Sequence, residues 1–317
     1  MNKSGKIFVA GHGGMVGSAI VNRLRREGFD NLLLRSRAEL DLRDYRSVLD
    51  LFMNEEIEYV FLAAAKVGGI IANRDDPVPF IRDNLLIQSN ILDAAHRTRV
   101  KKLLFLGSSC IYPKNASQPI REESLLTGEL EPTNEPYAIA KIAGIKMAQA
   151  YNRQYATNFI SVMPTNLYGP RDNFDLVTSH VLPALIRKMH EAKVNGWPSV
   201  EIWGTGEPYR EFMHVDDLAD ACLYLMNHYD GQSIVNIGIG QDLSIRELAE
   251  LIRSVVGYEG ELQFNADYPD GTPRKLLDVG KLNGLGWRSS IPLREGIENT
   301  YQWYVSQQPQ LNHAQLY

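Results

Sequence analysis

Tyr137 and Lys141 stand four residues apart in Pro136-Tyr137-Ala138-Ile139-Ala140-Lys141. On a helix that spacing puts a phenol and an ammonium on one face, and Pro136 suits the first turn of such a helix. A free tyrosine ionises near pH ~10 and parts with its proton reluctantly. A fixed positive charge beside it favours the phenolate and makes proton exchange with a substrate oxygen possible. The pair alone is compatible with an ordinary helix surface, so its meaning depends on the elements around it.

At the start of the chain, Ile7-Phe8-Val9-Ala10 reads as a short buried strand running into Gly11-His12-Gly13-Gly14-Met15-Val16-Gly17, with a helical stretch to Glu27. Strand, glycine turn and helix bring backbone N–H groups and a helix N-terminus to a pyrophosphate. Gly11, Gly14 and Gly17 are spaced G-x-x-G-x-x-G. Gly11 permits the tight turn, Gly14 the approach of phosphate and Gly17 the packing of helix on strand. The second strand, around Leu32-Leu33-Leu34, ends in Arg35-Ser36-Arg37. No ribose-binding carboxylate stands there, and arginine suits a 2′-phosphate, which points to NADP(H) before NAD.

Composition bounds the class. The chain has 317 residues, 44% hydrophobic and 22% charged, enough for one large core or two unequal ones. A net charge of −5 argues against general nucleic-acid binding. No apolar run reaches the roughly 20 residues of a membrane span, and Met1-Asn2-Lys3-Ser4-Gly5 leads directly into a strand, so a cytoplasmic location is expected. Cys110 and Cys222 are the two cysteines, with no zinc-ligand spacing and no disulfide framework; no metal is expected. The helical apolar neighbours of Cys222 make it a core residue.

Strand-like and helix-like stretches then alternate as in a doubly wound parallel α/β sheet. Tyr59 to Ala65, Lys102 to Gly107 and Asn158 to Met163 read as further strands. Each is followed by a polar segment at the carboxyl end, where such sheets bind ligands. After Pro170 the alternation weakens. Residues 1–170 are expected to form the cofactor-binding domain, with 210–240 returning to it, and 171–317 mainly a smaller, interleaved substrate domain.

Together, the glycine turn, a serine after a core strand and Tyr-x-x-x-Lys resemble the extended short-chain dehydrogenase/reductases that act on nucleotide sugars. The resemblance covers nearly the whole chain and sharpens in four segments: Ala64 to Ile70, Gly107 to Lys114, Glu131 to Tyr137 and Met163 to Pro170; Asp270 to Lys275 adds a fifth. It implies a Rossmann-type fold and an NADPH-dependent enzyme that epimerises GDP-4-keto-6-deoxy-D-mannose at C3 and C5 and reduces it at C4, giving GDP-L-fucose. It also implies a homodimer.

The implied roles match the chemistry. Tyr137 would give the proton to the C4 oxygen, Lys141 would hold its ionisation down, and Ser108 would hydrogen-bond the forming alkoxide. In the family the epimerisation base is the cysteine of Ser108-Ser109-Cys110 and the acid a downstream histidine, here Cys110 and His180. The resemblance implies a cofactor shell of Gly11, Gly14, Met15, Val16, Gly17, Arg37, Asp41, Leu42, Ala64, Lys141, Pro164, Asn166, Leu167 and His180. A substrate diphosphate needs cations; among Arg187, Lys188, Arg210 and Lys275 the family points to Lys188, Arg210 and Lys275, and Trp203 is placed to stack or pack near the substrate. One position departs: where the family carries arginine after Gly-His, this chain has Gly13, leaving Arg37, with Arg35, as the cation for the 2′-phosphate. Three alternatives stand beside this reading: a GDP-L-colitose synthase acting on the 3-deoxy analogue, a nucleotide-sugar 4-epimerase, and a non-catalytic NADP-binding protein.

Overall fold

The computed structural model describes residues 1–268 and 270–314. The first half of the chain alternates strands and helices: β1 (Ile7–Ala10), α1 (Met15–Arg26), β2 (Leu32–Leu33), α2 (Tyr45–Asn54), β3 (Tyr59–Leu62), α3 (Ile70–Asp75), α4 (Pro77–Arg97), β4 (Lys102–Leu106), α5 (Glu135–Tyr155) and β5 (Phe159–Pro164). There follow β6 (Asn166–Tyr168), α6 (Val181–Asn195), β7 (Ser199–Trp203), β8 (Tyr209–Arg210), β9 (Phe212–His214), α7 (Val215–His228) and β10 (Val235–Ile237). The chain continues through β11 (Leu243–Ser244), α8 (Ile245–Val256), β12 (Glu261–Asn265), β13 (Arg274–Lys275), α9 (Gly280–Gly284) and α10 (Leu293–Ala314).

Six strands form one sheet in the order β10-β5-β4-β3-β1-β2, every neighbouring pair parallel. This is the doubly wound α/β sheet expected from the alternation. Because side chains alternate across a strand, Ile7 and Val9 enter the core under α1 and α7, whereas Phe8 and Ala10 enter the core under α2, α4 and α5. Burial on both faces explains why the central strands read as unbroken apolar runs. The chain leaves β1 towards β2 on one side and later returns to β3 on the other. The crevice for a ligand opens at that reversal, beyond the carboxyl ends of the strands.

A third core joins α6, α8 and α10 through Leu182, Leu185, Ile186, Leu248, Ile252 and Ile297. Around it lie three small sheets: β11-β8-β13, β12-β7 and β6-β9. The connection after α6 is therefore richer in strands than the weakening alternation suggested, because strands of two or three residues leave little periodicity to read. Cys222 is fully buried under the first core. Among the described residues, no helix is long and apolar enough to cross a membrane.

Candidate active site

The site is built where β4 ends. After Gly107, the Ser108 Oγ caps a short 3₁₀ turn, Ser109–Ile111, by accepting a hydrogen bond from the Cys110 N–H at 3.2 Å. That cap fixes serine and cysteine two residues apart on one turn. Helix α5 starts with Pro136 in its first turn. It lies close on the sheet because Gly144 has no side chain: a Cβ there would come within 2.6 Å of the Phe105 ring of β4. The close approach sets Tyr137 and Lys141 beside Ser108.

Lys141 is buried, and its Nζ donates to the Leu106 carbonyl at 2.7 Å. The same ammonium lies 4.9 Å from the Phe105 ring centroid. Burial pulls its pKa down to about 7. Burial, and after it the nearby Cys110, push the Tyr137 phenol up and outweigh the opposite pull of the neighbouring Ser108 hydroxyl. This reverses the depression expected from the Tyr-Lys spacing. The physical reason is geometric: the ammonium serves the strand-end carbonyl and lies 5.8 Å from the Tyr137 ring centroid.

Cys110 faces residues from the far end of the chain. The Lys275 Nζ stands 3.5 Å from its Sγ. Lys275 lies in β13, directly paired with Arg210 in β8, so one strand pair carries two of the expected substrate cations to the thiol. A cleft here is lined by Cys110, Tyr112, Glu131, Asn134, Thr272 and Lys275. His180, immediately before α6, keeps part of its surface exposed, although protein packs around its imidazole. The enclosing protein, and secondarily the Lys275 ammonium, lower its pKa below the ordinary histidine value.

Two other substrate candidates, Lys188 and Trp203, meet at β7. Lys188 donates to the Glu201 carbonyl at 3.0 Å and sits 4.8 Å from the Trp203 ring centroid. Trp203 in turn stacks on Tyr268 with centroids 4.6 Å apart. Arg187 is committed elsewhere, to Glu191 at 2.7 Å and the Phe174 carbonyl at 3.2 Å.

At the opposite end, the glycine turn has the shape a dinucleotide requires. Gly11 has φ +87°, and a Cβ on it would stand 2.7 Å from the Ala64 N–H nitrogen. A Cβ on Gly17 would run into the Gly11 carbonyl. Gly14 begins α1 with no side chain capping the helix, so its first N–H groups, at Met15 and Val16, suit an anion. Arg37 is exposed, whereas Arg35 is tied to Glu55 at 3.2 Å. That leaves Arg37 as the cation suited to a 2′-phosphate. The Asp41 carboxylate is gripped by Arg43 at 2.7 and 3.0 Å and held to about 2; Leu42 follows it, half-buried. Pro164 closes β5, and Asn166 and Leu167 lie in β6.

Sequence reasoning passed over Glu211. Its side chain is wholly buried and accepts from the N–H groups of Ile239, Gly240 and Leu277 at 2.6, 2.7 and 3.1 Å. Its backbone carbonyl accepts from Thr165 and Asn166. One residue thus ties the Arg210 strand, the segment after Lys275 and the Asn166 turn together. Its neighbour Arg210 was the only nearby signal. Glu131 and Asn134 line the same cleft as Cys110.

The chain is 60% identical over 304 residues to GDP-L-fucose synthase 1 of Arabidopsis thaliana, covering 96% of this chain and 94% of the relative. It is 56% identical to GDP-L-fucose synthase of Escherichia coli K12, covering 96% and 97%. GDP-L-colitose synthase of Yersinia pseudotuberculosis is more distant, 38% identical over 95% and 98%. Among solved structures, a GDP-mannoheptose C4 reductase from Campylobacter jejuni with NADP bound superposes with a TM-score of 0.90 at 43% identity, covering 96% and 99%. Residues 7–238, which hold the glycine turn, Ser108, Tyr137 and Lys141, match a single family description, and the chain belongs to the NAD dependent epimerase/dehydratase family.

Proposed function

We propose that this protein converts GDP-4-keto-6-deoxy-D-mannose to GDP-L-fucose by epimerisation at C3 and C5 and NADPH-dependent reduction at C4. The observation that carries the reading is the proximity of the Tyr137 phenol to both the Ser108 hydroxyl and a Cys110 thiol that is itself in contact with Lys275. Reduction alone needs only the first pair. A second proton-transfer group beside a cation suits chemistry at carbons α to the ketone.

On this reading, residues 1–170, with 210–240, hold the cofactor, and 171–317 mainly the substrate. Bound NADPH supplies the hydride; the glycine turn, Arg37, Lys141 and the Asn166 turn hold it. Arg210, Lys275 and Lys188 grip the substrate diphosphate and aim the sugar at Cys110. Cys110 takes the proton from C3 or C5, and the C–H electron pair moves into an enolate whose oxygen rests on Ser108 and Tyr137. His180 returns a proton to the opposite face. Tyr137 finally protonates the C4 oxygen as the ketone is reduced. The protein acts as a cytoplasmic homodimer.

Incubation with GDP-4-keto-6-deoxy-D-mannose and NADPH tests the reading. NADPH oxidation with GDP-L-fucose identified by NMR supports it. Turnover confined to the 3-deoxy analogue would assign the colitose reaction instead, which the 60% and 38% identities disfavour. Absence of turnover of either would overturn it.

A further inference from the structure

We propose that Lys275 is the charge partner of Cys110, a positioning residue whose ammonium holds the sulfur as the thiolate that abstracts protons, in addition to any contact with the substrate diphosphate. This rests on the function proposed above and deepens it. The sulfur-to-nitrogen distance of 3.5 Å is that of a direct contact, made between residues 165 positions apart. It is built rather than incidental. Lys275 is fixed by its strand pairing with Arg210, and the chain two residues on is pinned by the Leu277 N–H bond to the Glu211 carboxylate. Only a thiolate, not a thiol, is a competent base.

The other charged or titratable groups around the thiol divide in sign. Arg210 from β8 and Tyr137 from α5 approach it. Lys114, Glu131 and Arg274 line the same cleft. All three are already paired: Lys114 with Glu131 at 3.3 Å and Arg274 with Asp242 at 2.6 Å. Lys275 is thus the cation in direct contact with the sulfur. The same ammonium also opposes the charged form of His180. When the sulfur takes the substrate proton it becomes neutral, and the negative charge passes to the enolate oxygen.

Alkylation by iodoacetamide at pH 7, without substrate or cofactor, reads this directly, with Cys110 followed by mass spectrometry. Cys222, fully buried, reports folding in the same spectrum. Lys275→Met should slow Cys110 alkylation about tenfold, and Lys275→Arg should restore it to within about threefold of wild type. Arg274→Met, one residue away, should leave the rate unchanged. If Lys275→Met exposes Cys222, Lys275→Gln repeats the test. Wild-type alkylation in a folded neutral variant, even one that binds GDP more weakly, would overturn the proposal and leave Lys275 a phosphate ligand only. Because no turnover is measured, failure here is separate from failure of the proposed reaction.

Discussion

The Lys141 ammonium donates to the Leu106 carbonyl at 2.7 Å and lies 5.8 Å from the centroid of the Tyr137 ring four residues earlier. Burial strips the Lys141 ammonium of water with no carboxylate to offset the loss, and its pKa falls to about 7 from 10.5. The unfolded chain keeps that proton between about pH 7 and 10.5 while the native state has released it. Stability should therefore rise with pH across that window. Urea midpoints measured from pH 7 to 10 should show this increment in wild type and lack it in Lys141→Met. Parallel curves would show that Lys141 stays charged in the fold.

Tyr137→Phe removes the phenol and keeps the ring. NADPH should bind as in wild type, and ketone reduction should fall ~10²–10⁴-fold, the usual worth of a general acid. A variant retaining more than about a tenth of the reductive rate would shift the proton donor to another group.

At the adenosine end, Arg37→Ala should raise the KM for NADPH strongly and leave that for NADH nearly unchanged, because only the 2′-phosphate needs the guanidinium. Gly13 offers a converse test. A Cβ there meets no heavy atom within 4 Å, so Gly13→Arg enters open space and should move selectivity further towards NADPH. Equal effects of Arg37→Ala on both cofactors would remove it from the phosphate site.

Epimerisation and reduction should separate at Cys110. In D₂O, Cys110→Ser should lose deuterium incorporation at C3 and C5 yet still reduce the unepimerised ketone slowly. His180→Ala should permit exchange but invert configuration poorly, since the opposite face lacks an acid. Undiminished deuterium incorporation in Cys110→Ser would return the thiol to a packing role.

Local features were legible in the sequence because their chemistry is local. The glycine turn, Pro136 at the start of α5 and the four-residue Tyr-Lys spacing depend on backbone geometry within a few residues. The sheet was readable because its strands are buried on both faces and so are uniformly apolar. The contact between Cys110 and Lys275 left no such mark, since two-residue strands bring it about. The sense of the Tyr137 shift was also hidden: spacing locates an ammonium on a helix face but does not say which neighbour it will serve.

Glu211 joins the Asn166 turn, the loop at Ile239 and Gly240, and the strand leading from Lys275 through hydrogen bonds to a single residue. This has a consequence for transplanting specificity between relatives. A chimera that exchanges everything after residue 170 would carry Glu211 and its two loop partners but sever them from the native Thr165 and Asn166. Exchanging only the helices around α6 would leave that junction whole. Grafts that move residues 165–166, 211, 239–240 and 277 as one set, or none of them, should preserve the alignment of both halves of the site.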